Sequence, residues 1–245
     1  MTSEARIVEL VCQLRHRHPR MGGKKIYRRL KDEINKIDQK VGRDKFFDIL
    51  RRHKLLVKRR RKYVYTTNSY HRFRVYKNRI KDKLFTKAGQ GWASDITYIR
   101  TGKKFMYLFL ITDLYSRKIV GWALADSLRI EGAIEALKMA IKQCCVTKGL
   151  IHHSDRGIQY CSKEYVTLLT EAGIEISMTE ENHCYENAMA ERVNGILKDE
   201  YSLEEEFPTS KQAQKATREG IWSYNMERPH WSLQLSTPNE IHIAS

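Results

Sequence analysis

The chain has 245 residues, of which 41% are hydrophobic and 30% charged, so it can bury a core in one large or two modest domains. Its net charge of +16 is uneven: residues 1–90 carry 28 Lys and Arg against 8 Asp and Glu, whereas residues 91–245 carry 17 against 21. The longest apolar run, residues 105–111, is far shorter than the roughly 20 residues of a membrane-spanning helix. Five cysteines without CxxC spacing favour reduced thiols in a cytosolic protein over disulfides or a zinc knuckle. The basic front half therefore favours nucleic acid as the partner, leaves an acidic protein as the alternative, and makes a membrane the weakest candidate.

Apolar residues at helical spacing predict three short helices in a domain formed by residues 1–57. The third predicted helix, residues 42–56, turns four basic side chains outward: Arg43, Lys45, Arg51 and Arg52. Three helices with a basic third one are typical of a helix-turn-helix domain, whose last helix enters the major groove of DNA. A solvated basic face on an ordinary helical bundle is the alternative interpretation.

Residues 58–88 combine basic and aromatic side chains. Five consecutive basic residues, which include Arg59, Arg60 and Arg61, stand close to several tyrosines. This mixture suits an arm that follows a nucleic-acid backbone, with cations on phosphates and rings on sugars or bases. A flexible, solubilising linker is the alternative.

The pattern changes from residue 89 onward. Three strand-like segments in hairpin order are followed by a helix, a strand, a helix, a strand and a further helix. This order predicts an α/β domain at residues 89–208 with a mixed five-stranded sheet and flanking helices, as in the ribonuclease H-like fold. Residues 209–245 are expected to add a C-terminal helix and a tail that pack on this core.

Three acidic residues stand out in the predicted core. Asp95 lies inside the first strand, where Asp is disfavoured; Asp155 follows the fourth strand; and Glu191 lies on the helix of residues 185–200. Carboxylates buried together repel one another unless a cation joins them, and Mg²⁺ or Mn²⁺ prefers such oxygen ligands. Taken singly, Asp95 is at least as compatible with a turn cap or an arginine pair, Asp155 with an ordinary loop acid and Glu191 with a surface position as with a metal ligand. The sequence has no GxxxxGK[ST], GxGxxG, HExxH or GxSxG motif, which leaves these acids as the main chemical signal.

The helix of residues 185–200 carries a polar stripe, formed by Asn187, Glu191, Asn194 and Lys198. At about 100° per residue these four side chains fall within roughly 60° of one another. We therefore expect them to share one face of the helix, opposite an apolar face that packs on the core.

Thirty-five residues separate Asp155 from Glu191, and Lys198 follows Glu191 by seven. This spacing resembles the D,D(35)E signature of bacterial insertion-sequence transposases and retroviral integrases. The blocks WASDITYI, ITDLYSRKIVGWAL, HHSDRGIQY, ENAMAERVNGILKDE and YNMERPHWSLQLSTP extend the resemblance from about residue 20 to 240, to the second-frame (OrfB-type) transposases of two-frame insertion sequences. The chain departs from that family at Glu186, where Asp is usual, and at residues 192–194, where a small residue and aromatics are usual.

The resemblance implies that Asp95, Asp155 and Glu191 are catalytic and hold two Mg²⁺ or Mn²⁺ ions. It implies DNA contacts by Lys198, with Asn187 and Asn194 extending the same face, whereas Arg228 and His230 either touch DNA or stabilise the tail. The partners implied are terminal inverted repeats, target DNA, further copies of the chain, and the first-frame protein or a frameshift fusion with it. The expected place of action is the bacterial cytoplasm, at the nucleoid.

The resemblance implies a transposase that cuts DNA at the transposon ends and joins the freed ends to target DNA, but two other functions remain open. A metal-dependent nuclease or junction resolvase of the same fold would cut DNA without joining it. A domesticated transposase would bind DNA while its acidic residues stay idle.

Overall fold

The computed structural model describes residues 2–57, 74–102, 104–144, 147–180 and 187–245. The predicted arm residues Arg59, Arg60 and Arg61 lie outside these ranges, as does Glu186. Residues 74–88, the described part of the arm, form neither helix nor strand; Arg79 attaches them to the sheet by donating its backbone N–H to Ser177 Oγ at 2.8 Å.

Three helices form the N-terminal region: α1 (Ser3–Arg17), α2 (Gly23–Ile37) and α3 (Arg43–Arg52). Their apolar faces make a core of their own, which includes Ile7, Val11, Ile26, Ile34, Phe46, Ile49 and Leu50. Helix α3 ends earlier than predicted because Lys54 adopts a left-handed φ of 55°, and the Leu55 amide then donates to the Leu50 carbonyl at 2.8 Å. The three predicted helices are thus confirmed, with a shorter third one.

The central sheet has five strands in the order β3-β2-β1-β4-β5. They are β1 (Gly91–Thr101), β2 (Lys104–Asp113), β3 (Ile119–Ala125), β4 (Ile151–Ser154) and β5 (Glu175–Met178). The first three pair antiparallel, whereas β4 is parallel to β1 and β5 is parallel to β4, as a mixed sheet with helical crossovers requires. The register Ala93↔His153 brings Asp95 and Asp155, two residues further along, to the same end of neighbouring chain segments.

Helices cover both faces of this sheet. Strand β2 shows why, since Phe109 and Ile111 join one apolar cluster while Leu108 and Leu110 join the other. The first face is covered by α4 (Ile130–Gln143), α5 (Ile158–Cys161) and α6 (Lys163–Glu171); the second by α7 (Ala188–Glu200) and α8 (Ser210–Met226). A short helix near the C-terminus, α9 (Pro238–Ile243), was not predicted. Among the described residues, no helix combines the length and the apolar character needed to cross a membrane.

Candidate active site

Asp95 lies at the centre of the sheet, on a strand that has neighbours on both sides. It is half-buried, and its two carboxylate oxygens accept hydrogen bonds from the Ile96 amide (2.9 Å) and from Asn194 Nδ2 (2.7 Å). Burial, followed by the negative charge of Asp155, raises the pKa of Asp95 to about 7. The two hydrogen bonds lower this pKa in part, and the charge of Glu191 raises it slightly. The sequence prediction that this acid occupies a costly position is therefore supported by its surroundings.

Asp155 follows the last residue of β4, where the chain turns away from the sheet. The Gly157 amide donates to Asp155 Oδ1 at 2.9 Å, and a Cβ atom on Gly157 would lie 2.9 Å from that same oxygen. The glycine therefore allows the turn to close on the carboxylate without a steric conflict.

Glu191 lies in the first turn of α7 and is exposed. Partial burial, followed by the charge of Asp155, raises the pKa of Glu191. Since Asp155 acts on both of the other acids, the three carboxylates share one electrostatic neighbourhood; we call Asp95, Asp155 and Glu191 the carboxylate site. In the part of the chain that the structure describes, no three His, Cys, Asp or Glu side chains stand close enough to form a ready metal-holding group.

The carboxylate site nevertheless suits a divalent cation. Its donors are hard oxygen atoms, and burial, followed by the charge of Asp155, makes a negative charge on Asp95 unfavourable. A divalent cation bound beside Asp95 would offset the cost of its negative charge.

The polar stripe of α7 faces strand β1. Asn187 and Asn194 are both buried, and their amide nitrogens donate to the Ser94 carbonyl (3.0 Å) and to Asp95 Oδ2. Lys198 is half-buried, with Nζ 4.0 Å from the centroid of the Tyr98 ring. These contacts lie inside the protein, so the DNA contacts implied for the three residues stay predictions.

Arg228 and His230 belong to a buried joint between the N-terminal helices and the core. Arg228 donates to both oxygens of Glu200, at 2.6 and 2.8 Å, and Lys25 of α2 reaches the same carboxylate at 3.1 Å. Arg228 also donates to His230 Nε2 at 2.9 Å; burial and then the guanidinium charge lower the pKa of His230 to about 2, so it is neutral. Of the two roles foreseen for Arg228 and His230, these contacts support stabilisation of the tail.

Glu227 forms the second half of this joint. His18 Nε2 lies 2.9 Å from its carboxylate, and Arg17 and Arg29 approach to 3.1 and 3.7 Å. We use the name buried joint for the six residues Lys25, Glu200, Arg228, His230, His18 and Glu227. Sequence reasoning missed this joint, because its partners are far apart in the chain and carry no common motif.

The four basic residues predicted for the third helix are exposed on or at the end of α3. Each also lies near an acid: Arg43 near Asp44, Lys45 near Asp38, Arg51 near Asp48 and Arg52 near Glu4. Such exposed pairs are weak and exchange readily, so the side chains remain available to phosphates.

A buried polar network, also missed from the sequence, supports the strands beneath the carboxylates. Ser94 Oγ and the Tyr165 hydroxyl lie 2.6 and 3.0 Å from His152 Nε2. Burial lowers the pKa of His152 to about 3, so the ring is neutral and joins β1 to β4 without adding charge. The sequence hinted at this network only by placing Ser94 next to Asp95 and His152 three residues before Asp155.

The core matches two models of the integrase core domain, over residues 86–184 and residues 172–238. The insertion element IS600 31 kDa protein of Shigella sonnei is 35% identical over 213 residues, which are 86% of this chain and 78% of that protein. The chain belongs to the insertion-sequence transposases of the retroviral integrase superfamily.

This transposase is also 34% identical over 169 residues to the transposase InsF for insertion sequence IS3A of Escherichia coli, and the alignment spans 69% of this chain and 58% of InsF. The magnesium-bound catalytic core of HTLV-2 integrase has the same fold, with a TM-score of 0.51 at 20% identity over 64% of this chain and 97% of that one. A chain of the simian T-cell lymphotropic virus intasome, solved in complex with PP2A regulatory subunit B56 gamma, gives a TM-score of 0.56 at 15% identity, over 95% of this chain and 74% of its own. The predicted ribonuclease H-like fold and family are thereby confirmed.

Proposed function

We propose that the transposase uses Asp95, Asp155 and Glu191 to hold two Mg²⁺ or Mn²⁺ ions, cuts DNA at the ends of its insertion sequence, and joins the freed 3′ end to a target. The observation that carries this proposal is the position of Asp95 at the centre of an integrase-type sheet, where burial, followed by the charge of Asp155, raises its pKa to about 7. Bound ions of this kind activate water or a 3′-hydroxyl and stabilise the leaving oxygen of a phosphodiester.

The residues of the chain prepare this chemistry by holding the carboxylates in place. The Ile96 amide and Asn194 orient the two oxygens of Asp95, and the Gly157 amide orients Asp155. Glu191 comes from a helix rather than a strand, so its distance from the two aspartates depends on how α7 packs on β1. Above pH 7 Asp95 is mainly ionised and can serve as a ligand.

The same proposal assigns DNA binding to the basic surfaces. The outward face of α3 and the arm would hold the terminal inverted repeats, and Lys198 would contact a phosphate near the cut end. Because two ends must be brought together, the working form would be an oligomer, acting in the cytoplasm at the nucleoid. The first-frame protein, or a frameshift fusion with it, is the further partner proposed.

One assay separates this function from the alternatives. The purified protein is incubated with Mg²⁺ or Mn²⁺, labelled oligonucleotides that carry the element's ends, and a target plasmid. Joined products support transposition, nicks without joining support a nuclease, and shifted but intact DNA supports a binding protein without activity.

Glu191→Gln provides the matched control for this assay. The substitution keeps the size of the side chain and removes its charge, so it should abolish cutting and joining while end binding continues. Cutting at a rate near that of the unmodified protein would remove Glu191 from the site.

A further inference from the structure

We propose that Asn187 and Asn194 are positioning residues that fix the register of helix α7 on strand β1 and thereby set the position of Glu191 relative to Asp95. This inference rests on the proposed function of the carboxylate site. It assigns the two asparagines to the protein interior and not to the DNA surface.

The contacts follow the strand in order. Asn187 donates to Ser94, Asn194 donates to Asp95, and Lys198 lies over the ring of Tyr98. From residue 187 to 198 a helix advances about 16 Å, at roughly 1.5 Å per residue. From residue 94 to 98 a strand advances about 13 Å. The two lengths are similar, so the polar stripe runs along β1 in the same direction.

Glu191 lies between the two asparagines, four residues after Asn187 and three residues before Asn194. All three share a helix face, so a slide or rotation of α7 that breaks either amide contact must also move the Glu191 carboxylate. A displacement of about 1 Å at a reacting centre can reduce a rate about 100-fold. Loss of either contact would therefore change the geometry of the carboxylate site.

The local chemistry of Asn187 points to the same role. It occupies the N-cap of α7, where an asparagine side chain normally accepts a hydrogen bond from the first turn of its own helix. Here it makes no capping hydrogen bond, and its amide donates to β1. The side chain thus connects two elements, although a bond within α7 would be the ordinary use of this position.

Burial adds a second argument. Asn187 and Asn194 are 4% and 6% exposed, and the Oδ1 atom of each has no hydrogen-bond partner among the described residues. Burying an amide under these conditions is costly, and a leucine would fill a similar volume without that cost. Their amide N–H groups, aimed at β1, give the reason for a polar residue at both positions.

Asn225 is a matched control elsewhere in the chain. This buried asparagine of α8 donates to the Ile119 carbonyl and accepts from the Ile119 amide, both at 2.9 Å, and so joins a helix to β3. In the described part of the chain, neither of these hydrogen bonds involves the carboxylate site. Replacing Asn225 should therefore remove hydrogen bonds between a helix and a strand and leave the position of Glu191 unchanged.

The experiment compares Mn²⁺ binding by the full-length protein and its variants, measured by calorimetric titration with the metal alone. Asn194→Ala should weaken Mn²⁺ binding about 10- to 100-fold, and Asn187→Ala should weaken it by a smaller factor. Asn225→Ala should lower the melting temperature while Mn²⁺ affinity changes less than about twofold. Equal Mn²⁺ affinity in the unmodified protein and in both stripe variants would overturn the proposal.

Asn194→Leu separates positioning from packing, because leucine restores volume without a donor. It should bind Mn²⁺ as weakly as Asn194→Ala; full recovery of affinity would show a packing role and contradict the proposal. If Asn194→Ala does not fold, Asn187→Ala, whose amide touches no carboxylate, decides by the same titration.

Glu191→Gln distinguishes a failure of this inference from a failure of the proposed function. If it loses Mn²⁺ binding and cutting while both stripe variants keep them, the function stands and the positioning role fails. If Glu191→Gln itself keeps both properties, the function assigned to the carboxylate site fails.

Discussion

The carboxylate site and the buried joint use the same residue types in opposite electrostatic settings. Asp95 has the acids Asp155 and Glu191 as its charged neighbours, and burial, followed by the charge of Asp155, raises its pKa to about 7. Glu200 is half-buried too, and burial by itself raises its pKa, but hydrogen bonds and charge from Arg228 and Lys25 lower that pKa below its ordinary value. Compensated acids join parts of a fold, whereas acids without a neighbouring cation are candidates for binding one.

The joint also has an internal asymmetry. Arg228 takes both oxygens of Glu200, so Lys25 shares a carboxylate that already has a cation. Burial and the neighbouring guanidinium consequently lower the pKa of Lys25 to about 8. The N-terminal helices are thus attached to the C-terminal end of α7, the same helix that carries Glu191 near its start.

The largest effect should come from removing a charge at the carboxylate site. We expect Asp155→Asn to reduce cutting of end DNA by more than about 100-fold, because losing a ligand should exceed the 10- to 100-fold effect of losing a supporting residue. Gel analysis of labelled end DNA with Mg²⁺ or Mn²⁺ measures the rate. A loss smaller than about tenfold, with folding intact, would contradict a ligand role for Asp155.

A large effect on stability should follow from breaking the buried joint. Arg228→Met leaves Glu200 buried without its main partner, so the free energy of unfolding should fall by about 3–5 kcal/mol. Urea unfolding followed by circular dichroism measures this change. The double variant Arg228→Met/Glu200→Met should recover much of the loss; if it is as unstable as the single variant, the loss comes from packing and not from the unpaired charge.

The pH dependence of stability should be opposite in sign to that of an ordinary paired acid. Between about pH 4 and 7 the folded protein keeps a proton on Asp95 that the unfolded chain releases, so ionising Asp95 reduces stability as pH rises. Without metal, Asp95→Asn should therefore stabilise the protein at pH 8 by on the order of 2 kcal/mol and change little near pH 4.

Thermal unfolding of both proteins across that pH range tests this expectation. Added Mn²⁺ should raise the melting temperature of the unmodified protein at pH 8 more than that of Asp95→Asn. Equal stabilisation by Asp95→Asn at pH 4 and pH 8 would assign the effect to something other than the charge of Asp95.

The smallest effect on stability should come from an exposed ion pair on α3. Arg51→Ala removes the pair with Asp48 and should change the free energy of unfolding by only about 0–1 kcal/mol. Under the proposed role of α3, Arg51→Ala should also remove one phosphate contact, which lowers the slope of log binding constant against log salt concentration by about 1. Fluorescence anisotropy at several salt concentrations measures this slope, and an unchanged slope would remove Arg51 from the DNA surface.

The local sequence determined much of the architecture. Three N-terminal helices, five strands and their order follow from apolar periods of 3.6 and 2 and from turn residues, which act within a few positions of the chain. The spacing of Asp155 and Glu191 identified the family before any coordinates.

The tertiary structure decided what the polar side chains touch. Periodicity placed Asn187, Asn194 and Lys198 on one face of α7, but only the packing of that helix showed that the face is turned to Ser94, Asp95 and Tyr98. Likewise, the sequence could not pair Arg228 with Glu200 or Glu227 with His18, because those contacts join residues from 28 to 209 positions apart. Helix and strand periods are local properties, whereas the partner of a buried charge depends on which distant segment the folded core brings beside it.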